Sequence, residues 1–144
     1  MEALGRLMNA VPSATTTATP VNLQDAAAVS IYLYGATSGN ATIQQLTAVS
    51  GGTAVNYDGS DAAHGRGITR YYTWAAGVWT KRTQAAAATI TAVTGGLACV
   101  CIDAADLSDG YKYVSASHAS GSFLIVLHDL DVQRAPANLA SPIV

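Results

Sequence analysis

Charge is scarce in this sequence. Of 144 residues only 11% are Asp, Glu, Lys or Arg, against about 25% in an ordinary soluble domain. A free monomer covers itself in charge to stay in solution. The deficit therefore implies a surface largely covered by partners, or one of small residues and threonines that stays soluble without charge. The seven cations are Arg6, Arg66, Arg70, Lys81, Arg82, Lys112 and Arg134. They are scattered and make no basic stripe, so no direct nucleic-acid partner is expected. No apolar run approaches the ~20 residues of a membrane span, and the first dozen residues lack the continuous apolar stretch of a secretory signal. The expectation is a protein made in the cytoplasm that remains soluble or becomes assembled, with no membrane partner.

Cysteine is nearly missing as well. Cys99 and Cys101 stand two apart in the apolar run Leu97-Ala98-Cys99-Val100-Cys101-Ile102. On a strand, residues i and i+2 point the same way, which holds their Cβ atoms farther apart than the ~3.8 Å a disulfide prefers. They are expected to be free thiols, buried as small hydrophobes. The sharper reading is a Cys-x-Cys half-site for a metal. His64, His118 and His128 do not fall at zinc-ligand spacing, so no metal is assigned.

Catalytic constellations are lacking too. No serine sits in a G-x-S-x-G elbow. The neighbours Ser117-His118 and His128-Asp129 would face opposite sides of a strand, so neither pair is set for proton relay. His64-Gly65-Arg66-Gly67 is neither a Walker loop nor a dinucleotide fingerprint and reads as a flexible surface loop. Asp103, Asp106 and Asp109 lack the placement of an EF-hand. Asp103 reads instead as the cap of a turn over Ala104 to Leu107, and Asp109-Gly110 as an ordinary turn. No catalytic residue and no cofactor is assigned, and an enzyme is not expected.

What the sequence does contain begins with Leu4, Leu7, Met8 and Val11, the i, i+3, i+4, i+7 stripe of a short helix that ends at Pro12. A helix this short is marginal alone, so these four are the candidate protein-interface residues. Ser13 to Pro20 (SATTTATP) is polar and low in complexity, an extended linker. Residues 1–20 thus read as an N-terminal arm and linker, 21–133 as the domain, and 134–144 as an extended C-terminal tail.

Within the domain the period is two. Val29 to Tyr34, a loop, and Ala41 to Leu46 read as a strand, a turn and its partner strand. Further strands are expected over Arg70 to Trp74, Val78 to Thr83, Ala88 to Val93, Leu97 to Ile102, Lys112 to Ser117 and Ser122 to His128, punctuated by glycines. Some eight short strands at this spacing predict an all-β fold, an antiparallel β-sandwich or jelly-roll-like barrel. The aromatics Tyr71, Tyr72, Trp74 and Trp79 admit two readings, a ring platform for sugars or cross-strand packing in a core. The core reading is favoured.

The stretches Asp25-Ala26-Ala27-Ala28-Val29-Ser30-Ile31 and Asn40-Ala41-Thr42-Ile43-Gln44-Gln45 resemble small virion proteins encoded near the capsid genes of tailed bacteriophages. So do Trp79-Thr80 to Gln84-Ala85, Ile102-Asp103-Ala104-Ala105-Asp106-Leu107, and Gly110-Tyr111-Lys112-Tyr113-Val114-Ser115-Ala116. The resemblance is to capsid decoration (cement) and minor head proteins and covers roughly residues 25 to 130, with Ser122 to Asp131 matching the closing apolar strand. It implies a β-rich structural virion protein on the capsid surface, with the major capsid protein as partner and a homotrimer as its form. A head or tail fibre component that binds the host surface through the four aromatics is the alternative.

Overall fold

A computed structural model describes residues 8–37, 39–131 and 142–143. In chain order the strands are β1 (Met8–Ser13), β2 (Val21–Asn22), β3 (Ala26–Tyr34), β4 (Gly39–Leu46), β5 (Ala54–Asn56), β6 (Ile68–Ala75), β7 (Val78–Ala87), β8 (Thr89–Ala92), β9 (Leu97–Asp103), β10 (Tyr113–Ser117) and β11 (Ser122–Leu130). A 3-10 turn over Ala104–Asp106 is the one helical piece among the described residues. The fold is all-β, as the period of two requires.

Two antiparallel sheets form a sandwich. One has six strands in the order β1-β11-β3-β9-β6-β7; the other has five, β2-β10-β4-β5 with β8 also paired to β4. Alternation decides what each strand buries. β3 turns Val29, Ile31 and Leu33 inward, β9 turns Ala98, Val100 and Ile102, and β11 turns Phe123, Ile125 and Leu127. The facing sheet supplies Ala41, Ile43, Ile90, Val114 and Ala116. These sets meet in a single core.

The chain changes sheet at most of its connections. Only β4–β5 and β6–β7 are paired with their chain neighbour. The expected hairpin of Val29 to Tyr34 with Ala41 to Leu46 is therefore corrected: β3 and β4 lie in different layers. Each carries a fully buried apolar set, and the connection between them buries Ala36 as it crosses the core edge.

The N-terminal reading also changes. Residues 8–13 are not helical but a strand, in register with β11 from Met8 opposite His128 to Ser13 opposite Phe123. Pro12 is tolerated because β1 is an edge strand, where a missing N–H breaks no shared ladder. Val11 packs against the chain's own core instead of standing free for a partner, while Leu4 and Leu7 lie outside the described residues. The linker is likewise part of the domain. Thr17 bridges to Ser117, the Ala18 N–H donates to Ala116 O at 2.7 Å, and Ser115 Oγ donates to Ala18 O at 2.8 Å. Of the C-terminal segment, Pro142 accepts a 2.6 Å hydrogen bond from the Asn22 N–H, and the other tail residues save Ile143 fall outside the described residues.

Candidate functional site

Because β3, β9 and β11 turn one set of residues into the core, their alternate set stands on the far side of the six-stranded sheet. No second layer covers that side among the described residues. The registers make it continuous. One row runs Pro12–Leu124–Tyr32–Cys99–Tyr72–Lys81 from β1 to β7. The next runs Ser122–Tyr34–Leu97–Trp74–Trp79. These rows carry one charge, at Lys81, and are otherwise aromatic, aliphatic or small.

The aromatics divide by strand parity. Tyr71 is buried, as the core reading expects, but Tyr72, Trp74 and Trp79 are 41%, 38% and 49% exposed. Tyr72 and Trp74 share a face because they are two apart on β6, and Trp79 stands directly opposite Trp74 on β7. Their indoles tilt at 55° with centroids 5.4 Å apart. The core reading is corrected for these three. The tight turn that pairs them, Ala76-Gly77, holds both residues at positive φ (49° and 82°), as a two-residue hairpin in register with its strands demands.

Cys99 and Cys101 lie on the same outer face, so their expected burial in the core is also corrected. Ala98, Val100 and Ile102 take the inward positions of β9. Both thiols are free, Cys99 half-buried and Cys101 exposed. Burial pushes the Cys99 thiol up to about 11, against a hydrogen bond from Tyr32 that pulls the other way.

A second cluster sits where the loops between β5 and β6 and after β9 meet. Gln45, on the inward side of β4, is fully buried. Its Nε2 donates to Ala63 O at 2.8 Å and to Ser108 Oγ at 3.0 Å, and its Oε1 accepts from the Ser108 N–H at 3.1 Å. Ser108 Oγ accepts in turn from the Gly65 N–H at 2.8 Å. Arg66 pairs with Asp106 at 2.9 Å. A Cβ on Gly65 would come within 2.6 Å of the Tyr57 ring. The His64-Gly65-Arg66-Gly67 segment is thus pinned down, not the flexible loop expected. The Tyr57 hydroxyl is pushed up to about 12 by burial, with the Asp106 charge adding to it.

The cleft beside this cluster has a volume of about 240 Å³ and is lined by Tyr57, Arg66, Arg70, Cys101, Asp103 and Asp106 among others. Ordinary ligand sites run from about 300 to 1,000 Å³. Asp103 immediately precedes the 3-10 turn, as expected of a cap, but its side chain makes no capping hydrogen bond. Among the described residues no three His, Cys, Asp or Glu side chains converge on a metal position. His118 is buried with Nδ1 against the Ser120 backbone, and His128 Nε2 lies 2.7 Å from Ser30 Oγ. Neither the Ser117-His118 nor the His128-Asp129 pair joins a nucleophile to a base and a carboxylate in these hydrogen bonds.

The outer face and the β7 edge escaped the sequence reading, although a signal was present. Val78 to Ala87 reads VWTKRTQAAA, with no clean alternation, and the strand is exposed along nearly its whole length. A strand without alternation that is too polar for a buried sheet is one with solvent on both faces. No protein-family model, curated protein or solved structure matches the chain.

Proposed function

We propose that this chain is a structural virion protein that binds and stabilises the assembled capsid of a tailed phage, a decoration or cement protein acting as a homotrimer on the major capsid protein. The supporting observation is the face of the six-stranded sheet that no second layer covers among the described residues, with Tyr34, Tyr72, Trp74 and Trp79 exposed in two rows whose one charge is Lys81. Six strands at ~4.8 Å spacing and about seven residues of length give a patch of roughly 500 Å². Exposed rings gathered on one broad face mark an interaction site, and their kind is that of an interface core. Binding the assembled lattice alone would add its free energy to that lattice, and three linked copies would multiply it.

The same rings favour a second reading. Trp74, Trp79 and Tyr72 make a platform on which sugars could stack, as a fibre component binding the host surface would need. Purified heads separate the two. A decoration protein occupies a fixed symmetric set of shell sites, and decorated heads melt at a higher temperature than bare ones. Equal melting temperatures sink the stabilising role. Label confined to the tail tip, with glycan binding by the isolated protein, transfers the case to the fibre.

A further inference from the structure

We propose that β7 is the acceptor edge for an extended acidic segment of a partner protein, which adds to the six-stranded sheet as a seventh strand. β7 ends the strand order of that sheet, paired to β6 on one side and, among the described residues, to nothing on the other. It is ten residues long. Its register with β6 is regular from Val78 opposite Ala75 to Thr83 opposite Arg70, and slips only beyond, before Ala87 meets Ile68. Along Val78 to Thr83 every second residue therefore aims its N–H and C=O outward, the ladder that an added strand uses.

Natural edges are blunted by prolines, covering loops, bulges or charge. Here the regular stretch has no proline and no bulge; its only guard is the pair Lys81 and Arg82, both exposed. That pair also defines the occupant. Lys81 is on the outer face beside Tyr72, while Arg82 is on the opposite face, its Nε donating to Thr73 Oγ1 at 3.3 Å. Residues 68–87 hold three cations, counting Arg70, and no acid, in a chain whose nine acids outnumber its seven cations. An incoming strand thus meets one positive charge on each face, which two adjacent acids in that strand answer, since neighbours point to opposite faces. Trp79 offers an apolar seat next to them.

The alternatives fit less well. A second copy pairing symmetrically about Lys81 and Arg82 sets like charges against each other. A nucleic acid or acidic glycan could answer the charges but not the row of backbone donors and acceptors. The inference rests on the reading of the chain as a protein-binding module and adds the chemistry of the partner.

The test uses the full chain and a capped six-residue peptide with a central Glu-Asp pair flanked by Val and Thr. Two controls are its Gln-Asn counterpart and a version N-methylated at alternate residues. Acidic peptide should bind at least about tenfold more tightly than the amide version. It should also protect every second amide of Val78 to Thr83 from hydrogen exchange. The double variant Lys81→Glu, Arg82→Glu should reverse the preference between acidic and neutral peptide. Equal binding of the N-methylated peptide, or no amide protection, overturns the strand-addition claim without need of a variant. Tighter binding of oligothymidylate or of an acidic polysaccharide to the same residues overturns it in favour of that polymer. Dimerisation that protects the same amides overturns it in favour of a second copy. Should the chain occupy heads while the peptide fails, this inference falls and the decoration reading stands. Peptide binding without head occupancy gives the reverse.

Discussion

Cys99 and Cys101 share one face of β9, yet their surroundings differ. Cys99 lies mid-sheet between Tyr32 and Tyr72, which screen it from water, whereas Cys101 is exposed. Only a thiolate reacts readily with disulfide reagents. At neutral pH a disulfide reagent should label Cys101 first and Cys99 more slowly by about tenfold or more, and Cys101→Ser should remove the fast phase. One common rate for both thiols would refute this. The sign of the alkaline response follows from the same burial. The Cys99 thiol moves from 9.0 to about 11 on folding, so the folded chain holds its proton more tightly. The stabilisation this brings is whole below pH 9 and is lost as pH rises towards about 11. Tyr57, raised from 10.0 to about 12 for the same reason, deepens the loss at still higher pH. The unfolding midpoint should therefore fall steadily above pH 9.

β1 is a strand that its own residues barely specify. Met-Asn-Ala-Val-Pro-Ser combines weak strand formers with a proline, and the spacing of Leu4, Leu7, Met8 and Val11 fits a helix equally well. What decides the matter is β11, whose Phe123, Ile125 and Leu127 are buried and whose open edge needs a partner; tertiary pairing overrides local propensity. Deleting residues 1–13 should strip that edge and lower the melting temperature by roughly 10 °C or more, measured by circular dichroism. An unchanged midpoint would restore the arm as an independent appendage. The other elements were legible in proportion to their alternation. β3, β9 and β11 stand within a few residues of where the period of two puts them, because each buries one face and leaves the other largely open, and β10 does so although Ser115, between Val114 and Ala116, is buried as well. β2 and β5, two and three residues long, carry no period at all. Pairing partners were not legible, since Val29–Leu33 and Ala41–Ile43 look the same whether side by side or face to face. Nor was parity on β6, where Tyr71 and Tyr72 are adjacent aromatics and only the sheet's position decides which turns inward. Gln45 was hidden for a related reason: a polar residue at an inward position reads as an exception until its three hydrogen bonds are seen.

Across the molecule the low charge is unevenly spread. Asp58, Asp61, Asp103, Asp106 and Asp109 gather near the loop end from which β6 starts, and Arg66 from the same region answers Asp106. The β6–β7 hairpin runs away from that end with three cations, four aromatics and no acid. The scarcity of charge was plain in the sequence; its concentration away from one broad sheet face was not. A face that serves the fold and a face that serves a partner respond differently to truncation. Trp74 and Trp79 are 38% and 49% exposed and pack ring against ring across the strands, so removing both should cost the isolated chain only about 1 kcal/mol, the worth of a cross-strand aromatic pair. At the centre of an interface the same rings act as anchors worth about 2 kcal/mol or more. Trp74→Ala with Trp79→Ala should therefore leave the melting temperature of the free protein within a few degrees of the parent while cutting occupancy on purified heads by at least about tenfold. Heads that take up the double variant as fully as the parent would remove this face from the capsid contact. A variant that unfolds would return the two tryptophans to the core that the sequence first suggested.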